Sequence, residues 1–305
     1  MHDSRRNRRI AAVVCALAIA AAPAAAEQIS VTLRGAVGLP TAATDQHGQP
    51  FTISEMSGVT YLGGDTFAAI TDDGGKIVAF DVTFDGDGAI SSAVVTEGLS
   101  LADVHDFEGI AYVPGTTPAT VYVSEENTPA LHAYRLSDGA LVESLAAPAV
   151  FADQRSNFGF ESLARMPISG ALWTGNEGAL TVDGPLATAT AGTTVRLLKY
   201  AHSGGSYVAG TQYAYEVDPL HGAPITGSRS GLVELVATPV PIADGGLLAV
   251  ERSLALSTEL GAFRTAIYAV DFADATDVSG LAALDGATYT PVTKTQLFAG
   301  GVVPG

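Results

Sequence analysis

The sequence predicts an all-β fold, a β-propeller of about five to six blades. Short runs rich in Val, Ile, Thr, Tyr and Ala alternate with turns of Gly, Asp, Pro and Ser, which is typical of β-strands. Helical periodicity is scarce. A related stretch also recurs about every 50 residues, which is the period of propeller blades built from about four strands each.

Four related stretches define the repeat. They begin at Ser57, Glu108, Glu161 and Gly231, and each contains a strand, a turn, a second strand and then an acidic residue. The third carries an insertion around TVDGPLATATAGTT, which lengthens the step to the fourth. The stretch QISVTLRGAV near the N-terminus is expected to complete the last blade by pairing with TKTQLFAGG near the C-terminus, because closing the ring hides edge strands.

Residues 1–26 have the pattern of a secretory signal peptide. Four arginines precede the apolar run Ile10–Ala22, and an Ala-Ala-Ala site predicts cleavage after Ala26. We therefore expect a secreted or periplasmic protein whose single domain is 27–305. Its only cysteine, Cys15, lies within the signal peptide, so disulfides and thiol chemistry are not expected in the mature chain.

The mature chain is strongly acidic. Residues 1–26 hold four of the 15 basic and one of the 32 acidic residues, so 11 basic and 31 acidic residues remain, a net charge of about −20. Such a surface repels nucleic acids and anionic membranes, and neither is expected as a partner. We expect a monomer that acts on a small molecule.

The repeat places acids at one end of each blade. Consecutive strands of a blade are antiparallel, so the start of the first strand and the end of the second lie side by side. The acids are therefore expected to form a ring around one mouth of the propeller. Two carboxylates about 5 Å apart repel by about 3 kcal/mol at an effective dielectric near 20. This repulsion favours a Ca²⁺ site, since Ca²⁺ takes several oxygen ligands. Its predicted ligands are Asp72, Glu126, Glu177 and Glu251.

Four segments resemble the phytase-like family, described as esterase-like activity of phytase. They are DFEGIAY (Asp106–Tyr112), YVSEEN (Tyr122–Asn127), SNFGFESLARMP (Ser156–Pro167) and LLAVERS (Leu247–Ser253). The resemblance covers roughly residues 28–299 and implies a secreted or periplasmic β-propeller associated with hydrolysis of phosphate or carboxylic esters. Members of the family usually continue beyond the PVTK region, whereas this sequence stops at LFAGGVVPG. The last blade is therefore expected to be degenerate, or the sequence to be a fragment.

The leading hypothesis is a Ca²⁺-assisted hydrolase of phosphoesters or related esters. Glu108 or Glu161 is the predicted base, and Arg252 is predicted to neutralise developing charge. A non-catalytic propeller that binds a ligand or partner, and a calcium-dependent lactonase-type propeller, are the alternatives. The sequence has no G-x-S-x-G nucleophile elbow, which disfavours an α/β-hydrolase.

Three further residues are predicted to contact substrate. His105 precedes the strand of Glu108 and is expected at the mouth, together with Arg155 and Asn157 from the loop before Glu161. Asn157 is also expected to shape a turn of positive φ. His132, within ALHAYRL, is expected on the surface of a strand.

Overall fold

A computed structural model describes residues 32–72, 74–238, 246–257 and 261–301 of the 305. The predicted signal peptide lies outside the described residues. Within the described ranges, no helix combines the length and hydropathy needed to cross a membrane.

The described residues form a short hairpin and four antiparallel sheets of four strands. The hairpin is β1 (Ala42–Thr44) and β2 (Pro50–Thr52). Blade 1 contains β3 (Met56–Gly63), β4 (Thr66–Thr71), β5 (Lys76–Phe84) and β6 (Ile90–Ser100). Blade 2 contains β7 (Phe107–Val113), β8 (Thr120–Glu125), β9 (Ala130–Arg135) and β10 (Leu141–Ala146). Blade 3 contains β11 (Ala164–Arg165), β12 (Leu172–Gly175), β13 (Thr193–Ser203) and β14 (Ser206–Val217). Blade 4 contains β15 (Arg229–Ala237), β16 (Leu247–Ser257), β17 (Gly261–Asp271) and β18 (Thr293–Gly301).

The four sheets are the blades of a β-propeller, so the predicted fold class is confirmed. In each sheet the strands follow one another in chain order, and the first strand contacts the first strand of the next blade: β3 with β7, β7 with β11, and β11 with β15. A separate apolar cluster fills each of these three interfaces. Their central members include Ile70 and Ile110 between blades 1 and 2, Leu131 and Leu198 between blades 2 and 3, and Leu197 with Leu235 between blades 3 and 4.

The first strands approach so closely that a side chain is excluded at key positions. A Cβ added at Gly109 of β7 would lie 2.3 Å from the Leu163 nitrogen and 2.5 Å from the Ser162 carbonyl carbon. A Cβ at Gly58 of β3 would lie 2.5 Å from the Glu108 carbonyl oxygen. Both distances are far below van der Waals contact, and the obstructing atoms are backbone. Glycine at these positions therefore sets the spacing of neighbouring blades.

The prediction of five to six blades is wrong, because the described chain has four. Dividing the chain length by the repeat overestimates the number of blades, since long connections take up residues without adding strands. Residues 176–192 separate β12 from β13, and residues 272–292 separate β17 from β18. Residues 32–55 contribute only the β1–β2 hairpin. The expected degenerate last blade is also not seen, since blade 4 has four strands.

The N-terminal stretch does not complete the last blade in the part that the structure describes. Residues 32–40 form no strand, and β18 pairs only with β17. The Arg34 side chain instead donates a hydrogen bond to the carbonyl oxygen of Asp87, and Gly35 lies against Ile90. The segment thus follows the outer hairpin of blade 1.

A buried ion pair holds the long β17–β18 connection against blade 3. Arg196 of β13 is fully buried and donates to both carboxylate oxygens of Asp183, at 2.7 and 2.8 Å. The same guanidinium donates to the carbonyl oxygens of Val278 and Leu281, and Asp183 accepts from the backbone nitrogen of Leu284 at 2.8 Å. Because both charges are buried, these bonds fix the connection to blade 3.

Substituting Gly109→Ala should destabilise the protein, because the new methyl group overlaps backbone atoms of the neighbouring blade. We expect a loss of about 1–3 kcal/mol in the free energy of unfolding, the usual range for overpacking, measured by urea denaturation. Gly86 has open space around its Cβ position and no positive φ, so Gly86→Ala is the matched control and should be close to neutral. An equally small effect of both substitutions would contradict the close approach of the blades.

Candidate functional site

Five acids from three blades and their connections meet near the first strands. Glu108 lies on β7 and Asp106 directly before it, Asp72 follows β4, Glu126 follows β8, and Glu161 lies three residues before β11. We call these five residues the carboxylate cluster. Their common position results from the antiparallel pairing of the first two strands in each blade, which brings the start of one strand beside the end of the other.

Two triplets within the cluster share Glu108. One carboxylate oxygen from each of Glu108, Glu126 and Glu161 lies within 4.8 Å of the other two, and the same holds for Asp72, Asp106 and Glu108. Glu108 is 8% exposed and Glu126 is 2% exposed, while Glu161 is partly exposed. The structure therefore brings Glu108 together with Asp72, Glu126 and Glu161, which are four of the acids expected in the ring.

Burial raises the pKa of Glu108 to about 8. A hydrogen bond with the Ser57 side chain lowers it, while the charges of Asp72, Glu126 and Asp106 raise it. Ser57 lies one residue before the glycine that contacts β7. At neutral pH the Glu108 carboxyl is therefore largely protonated unless a cation is bound.

The pKa of Glu161 is raised further than that of Glu108. Burial raises its pKa to about 9, and the charges of Glu177, Glu108 and Glu126 act in the same direction, whereas Arg252 lowers it. Burial also raises the pKa of Glu126, against a hydrogen bond from the Gly159 backbone nitrogen to its Oε1 at 3.2 Å.

Glu177 adjoins the cluster from the connection that follows β12 of blade 3. It is fully buried, and neither carboxylate oxygen has a hydrogen-bond partner among the described residues. Burial raises its pKa to about 7, while the nearby charges of Arg229 and Arg252 lower it. Arg229 Nε lies 3.6 Å from Glu177 Oε1. A buried carboxylate without a hydrogen-bond donor can be compensated by a proton or by a further cation.

Glu234 is an acid near the cluster that the sequence interpretation missed. It lies on β15, where a bulge between Leu232 and Glu234 interrupts the register, and its Oε1 accepts from the Leu235 nitrogen at 2.8 Å. Burial raises its pKa to about 8, and the charge of Glu108 contributes. The available signal was a single acid within the apolar first strand GLVELVA.

His105 lies beside Glu125 and not in the carboxylate cluster. Its Nδ1 is 3.1 Å from Glu125 Oε1, and its ring stacks on that of His132 with centroids 4.9 Å apart. The expectation of a surface His132 is wrong, because this residue is 8% exposed and its Nε2 lies 2.8 Å from Glu125 Oε2. The two consecutive acids Glu125 and Glu126 thus serve different groups of residues.

Arg155 and Glu251 are engaged away from the carboxylate cluster. Arg155 donates to the carbonyl oxygens of Ala179 and Gly184, so it braces the loop after β12. Glu251 accepts from Tyr215 Oη at 2.7 Å and from Lys294 Nζ. The Glu251 side chain and the side chain of its neighbour Arg252 point to opposite faces of the sheet, as expected when side chains alternate along a strand. Glu251 and Lys294 form a separate ionic group, and Lys294 also lines a cleft of about 340 Å³.

Asn157 provides a turn rather than a buried contact. It is exposed and has a φ of 64°, as expected for a residue in the left-handed region. The predicted role of Asn157 in substrate binding stays a prediction, as do those of His105 and Arg155.

A family model described as "Phytase-like: Esterase-like activity of phytase" matches residues 52–301. The chain belongs to the phytase-like family. The resemblance found in the four sequence segments is therefore confirmed, and the match spans all four blades of this phytase-like protein. A comparison with curated proteins found no match.

Solved structures with distant similarity come from unrelated contexts. Hydrazine synthase from Kuenenia stuttgartiensis has a TM-score of 0.39 and 12% identity, over 71% of this chain and 63% of that one. A protein from Lactobacillus plantarum has a TM-score of 0.31 and 10% identity, over 85% and 93%. Hsv2 from Kluyvelomyces marxianus has a TM-score of 0.32 and 8% identity, over 84% and 63%. Similarity at this level does not indicate a shared function.

In a chelator, this phytase-like protein should lose stability as the pH rises from about 5 to about 9. Folding raises the pKa of Glu108 to about 8 and of Glu161 to about 9, from an ordinary value of 4.5. Across this window the folded state holds more protons than the unfolded state, so the free energy of unfolding falls with increasing pH. Carboxyl groups with a lowered pKa, such as Asp45 with a pKa of about 2, change their protonation below pH 5 and therefore do not contribute to the decline in this window.

The measurement is the melting temperature in EDTA at each pH, followed by circular dichroism. Glu161→Gln removes one titrating group and should flatten the decline, with a higher melting temperature than wild type at pH 8. Glu97 is exposed on β6, and Glu97→Gln should retain the wild-type slope. A wild-type melting temperature that rises through this window would refute the assignment.

Proposed function

We propose that this phytase-like protein is an exported hydrolase of phosphoesters or related esters, assisted by Ca²⁺ at the carboxylate cluster. The observation that carries the proposal is the triplet of Glu108, Glu126 and Glu161, whose oxygens lie within 4.8 Å of one another beside two arginines of blade 4. Family membership supports the reaction class, and the predicted signal peptide supports a secreted or periplasmic location. Its substrate is a small molecule, and the protein acts as a monomer.

The donor set of the cluster fits a hard divalent cation. All its ligand atoms are carboxylate oxygens, which Ca²⁺ prefers. Next to the cluster, the buried carboxylate of Glu177 accepts no hydrogen bond from the described residues, which supports a further positive charge nearby. Asp72, Glu108, Glu126 and Glu161 would hold the ion. When bound, Ca²⁺ would offset the charge of an anionic substrate and lower the pKa of a coordinated water.

Side chains of the protein would carry out two further tasks: glutamates would transfer protons, and arginines would neutralise negative charge. Without a bound ion, the pKa of Glu161 is raised to about 9 and that of Glu108 to about 8. A cation held by the cluster would lower both pKa values and leave a carboxylate that can accept a proton from water. Arg252 and Arg229 lie close enough to lower the pKa of Glu177. They are therefore placed to neutralise negative charge that develops on an ester during hydrolysis.

Hydrolysis should depend on Glu161. We expect Glu161→Gln to lower kcat/KM by about 10²–10⁴-fold, the usual contribution of a general acid or base, because the amide cannot exchange a proton. The assay measures turnover of 4-nitrophenyl phosphate, 4-nitrophenyl butyrate and a γ-lactone by wild type and variant in 2 mM EDTA and after Ca²⁺ is restored. Glu97→Gln is the control and should match wild type.

The outcomes separate the proposal from its alternatives. Ca²⁺-dependent turnover of either nitrophenyl ester that is lost in Glu161→Gln supports the ester hydrolase. Preference for the lactone instead favours a lactonase-type propeller. If the folded wild type binds Ca²⁺ but turns over none of the three substrates, the hydrolase proposal is wrong and the protein is a binding propeller. Turnover that is unchanged in EDTA removes the calcium component.

A further inference from the structure

A second group of metal-ligand side chains lies in blade 2, and none of its members belongs to the carboxylate cluster. It consists of His105, Glu125 and His132, which we call the histidine cluster. One ligand atom from each lies within 4.8 Å of the others. His105 comes from the connection between β6 and β7, Glu125 ends β8, and His132 lies on β9. Residues from three successive segments therefore converge here.

The distances in the histidine cluster are close to those of a metal centre. His132 Nε2 lies 2.8 Å from Glu125 Oε2, and His105 Nδ1 lies 3.1 Å from Glu125 Oε1. Ligand atoms around a tetrahedral zinc ion with bonds of about 2.0–2.1 Å are about 3.3 Å apart. The two imidazole rings are stacked, with an angle of 10° between their planes. Because an imidazole nitrogen coordinates a metal in the plane of its ring, the more exposed His105 ring has to rotate out of the stack for both nitrogens and the Glu125 carboxylate to bind one ion.

Neighbouring groups hold the two rings in place. His132 Nδ1 lies 2.8 Å from Ser144 Oγ on β10, so a metal at Nε2 would leave the Nδ1 proton to be donated to that hydroxyl. Phe107 packs edge-on against both rings, with centroids 5.4 Å from His105 and 6.2 Å from His132. This arrangement of a ligand with a partner for its second nitrogen is usual for histidines that bind metals.

The histidine cluster is open to solvent on one side, that of His105. The side chains of Glu125 and His132 are 7% and 10% exposed, whereas that of His105 is 34% exposed. An ion can therefore enter on the side of His105, and a water molecule or another ligand can complete its coordination there. Three protein ligands with an open position are typical of zinc sites that are not purely structural.

We propose that His105, Glu125 and His132 bind a divalent transition-metal ion of the zinc type, separate from the Ca²⁺ site. Two imidazole nitrogens and one carboxylate oxygen suit zinc and related ions, while Ca²⁺ prefers oxygen ligands alone. Binding joins the β6–β7 connection to β8 and β9. The ion therefore ties the chain that leaves blade 1 to the body of blade 2.

The test is a titration of chelator-treated full-length protein with Zn²⁺ and with Co²⁺ as a spectroscopic probe. We expect one equivalent of ion at the histidine cluster, with Co²⁺ absorption bands characteristic of nitrogen ligands, and a rise in melting temperature of roughly 5–10 °C with saturating Zn²⁺. Because His105 is the most exposed ligand, His105→Ala should remain folded and lose at least about 100-fold in Zn²⁺ affinity. Ser144→Ala should lose about 10–100-fold, as expected for a residue that orients a ligand.

Two control variants make the result specific. His202 is an exposed histidine on β13, and His202→Ala should keep wild-type affinity. Glu126→Gln alters the carboxylate cluster and should also keep it. The proposal is overturned if wild type takes up no Zn²⁺ or Co²⁺, or if His105→Ala binds as tightly as wild type. It is also overturned if Glu126→Gln abolishes binding, which would place the ion among the carboxylates. None of these outcomes depends on ester hydrolysis.

Discussion

The close approach of neighbouring first strands is the constraint on which the rest of this propeller depends. Gly58 lies directly against the backbone of Glu108, and Gly109 lies directly against that of Ser162 and Leu163. A larger residue at either place would push two blades apart and separate the acids that follow. Carboxylates that are buried close together repel one another, and the tight backbone packing between the blades holds them in place because it has little freedom to relax.

Much of the architecture could be predicted from the sequence, because the features that repeat are the ones that position the blades. The four related stretches, which begin at Ser57, Glu108, Glu161 and Gly231, start within three residues of the first strands of the four blades. The number of blades could not be obtained in this way, since the long connection before β13 and the one before β18 have no repeat signal. Residues 272–292 are held by contacts with blade 3 that are remote in sequence, such as that of Arg196 with Val278.

Only part of the candidate site could be predicted from the sequence: which strand ends meet, but not the direction in which each acid points. Strand pairing determines which ends meet, so the grouping of Glu108, Glu126 and Glu161 followed from the pattern. The side of the strand to which each acid points depends on register, which one residue reverses. Glu251 and Glu125 therefore contact other partners. The single acid in the apolar strand GLVELVA was the signal for Glu234, but the bulge that sets its direction could not be predicted from the sequence.

The buried pair of Arg196 and Asp183 has a consequence for how the chain becomes ordered. The Arg196 guanidinium belongs to blade 3. Two of its hydrogen-bond acceptors, the carbonyl oxygens of Val278 and Leu281, lie some 80 residues later in the chain, in the connection between β17 and β18. Until that connection docks, the guanidinium is paired with Asp183 but lacks its two carbonyl acceptors, and water has to take their place. The second half of the propeller is thus expected to form in one cooperative step, even though each of its sheets is built from a contiguous stretch of chain.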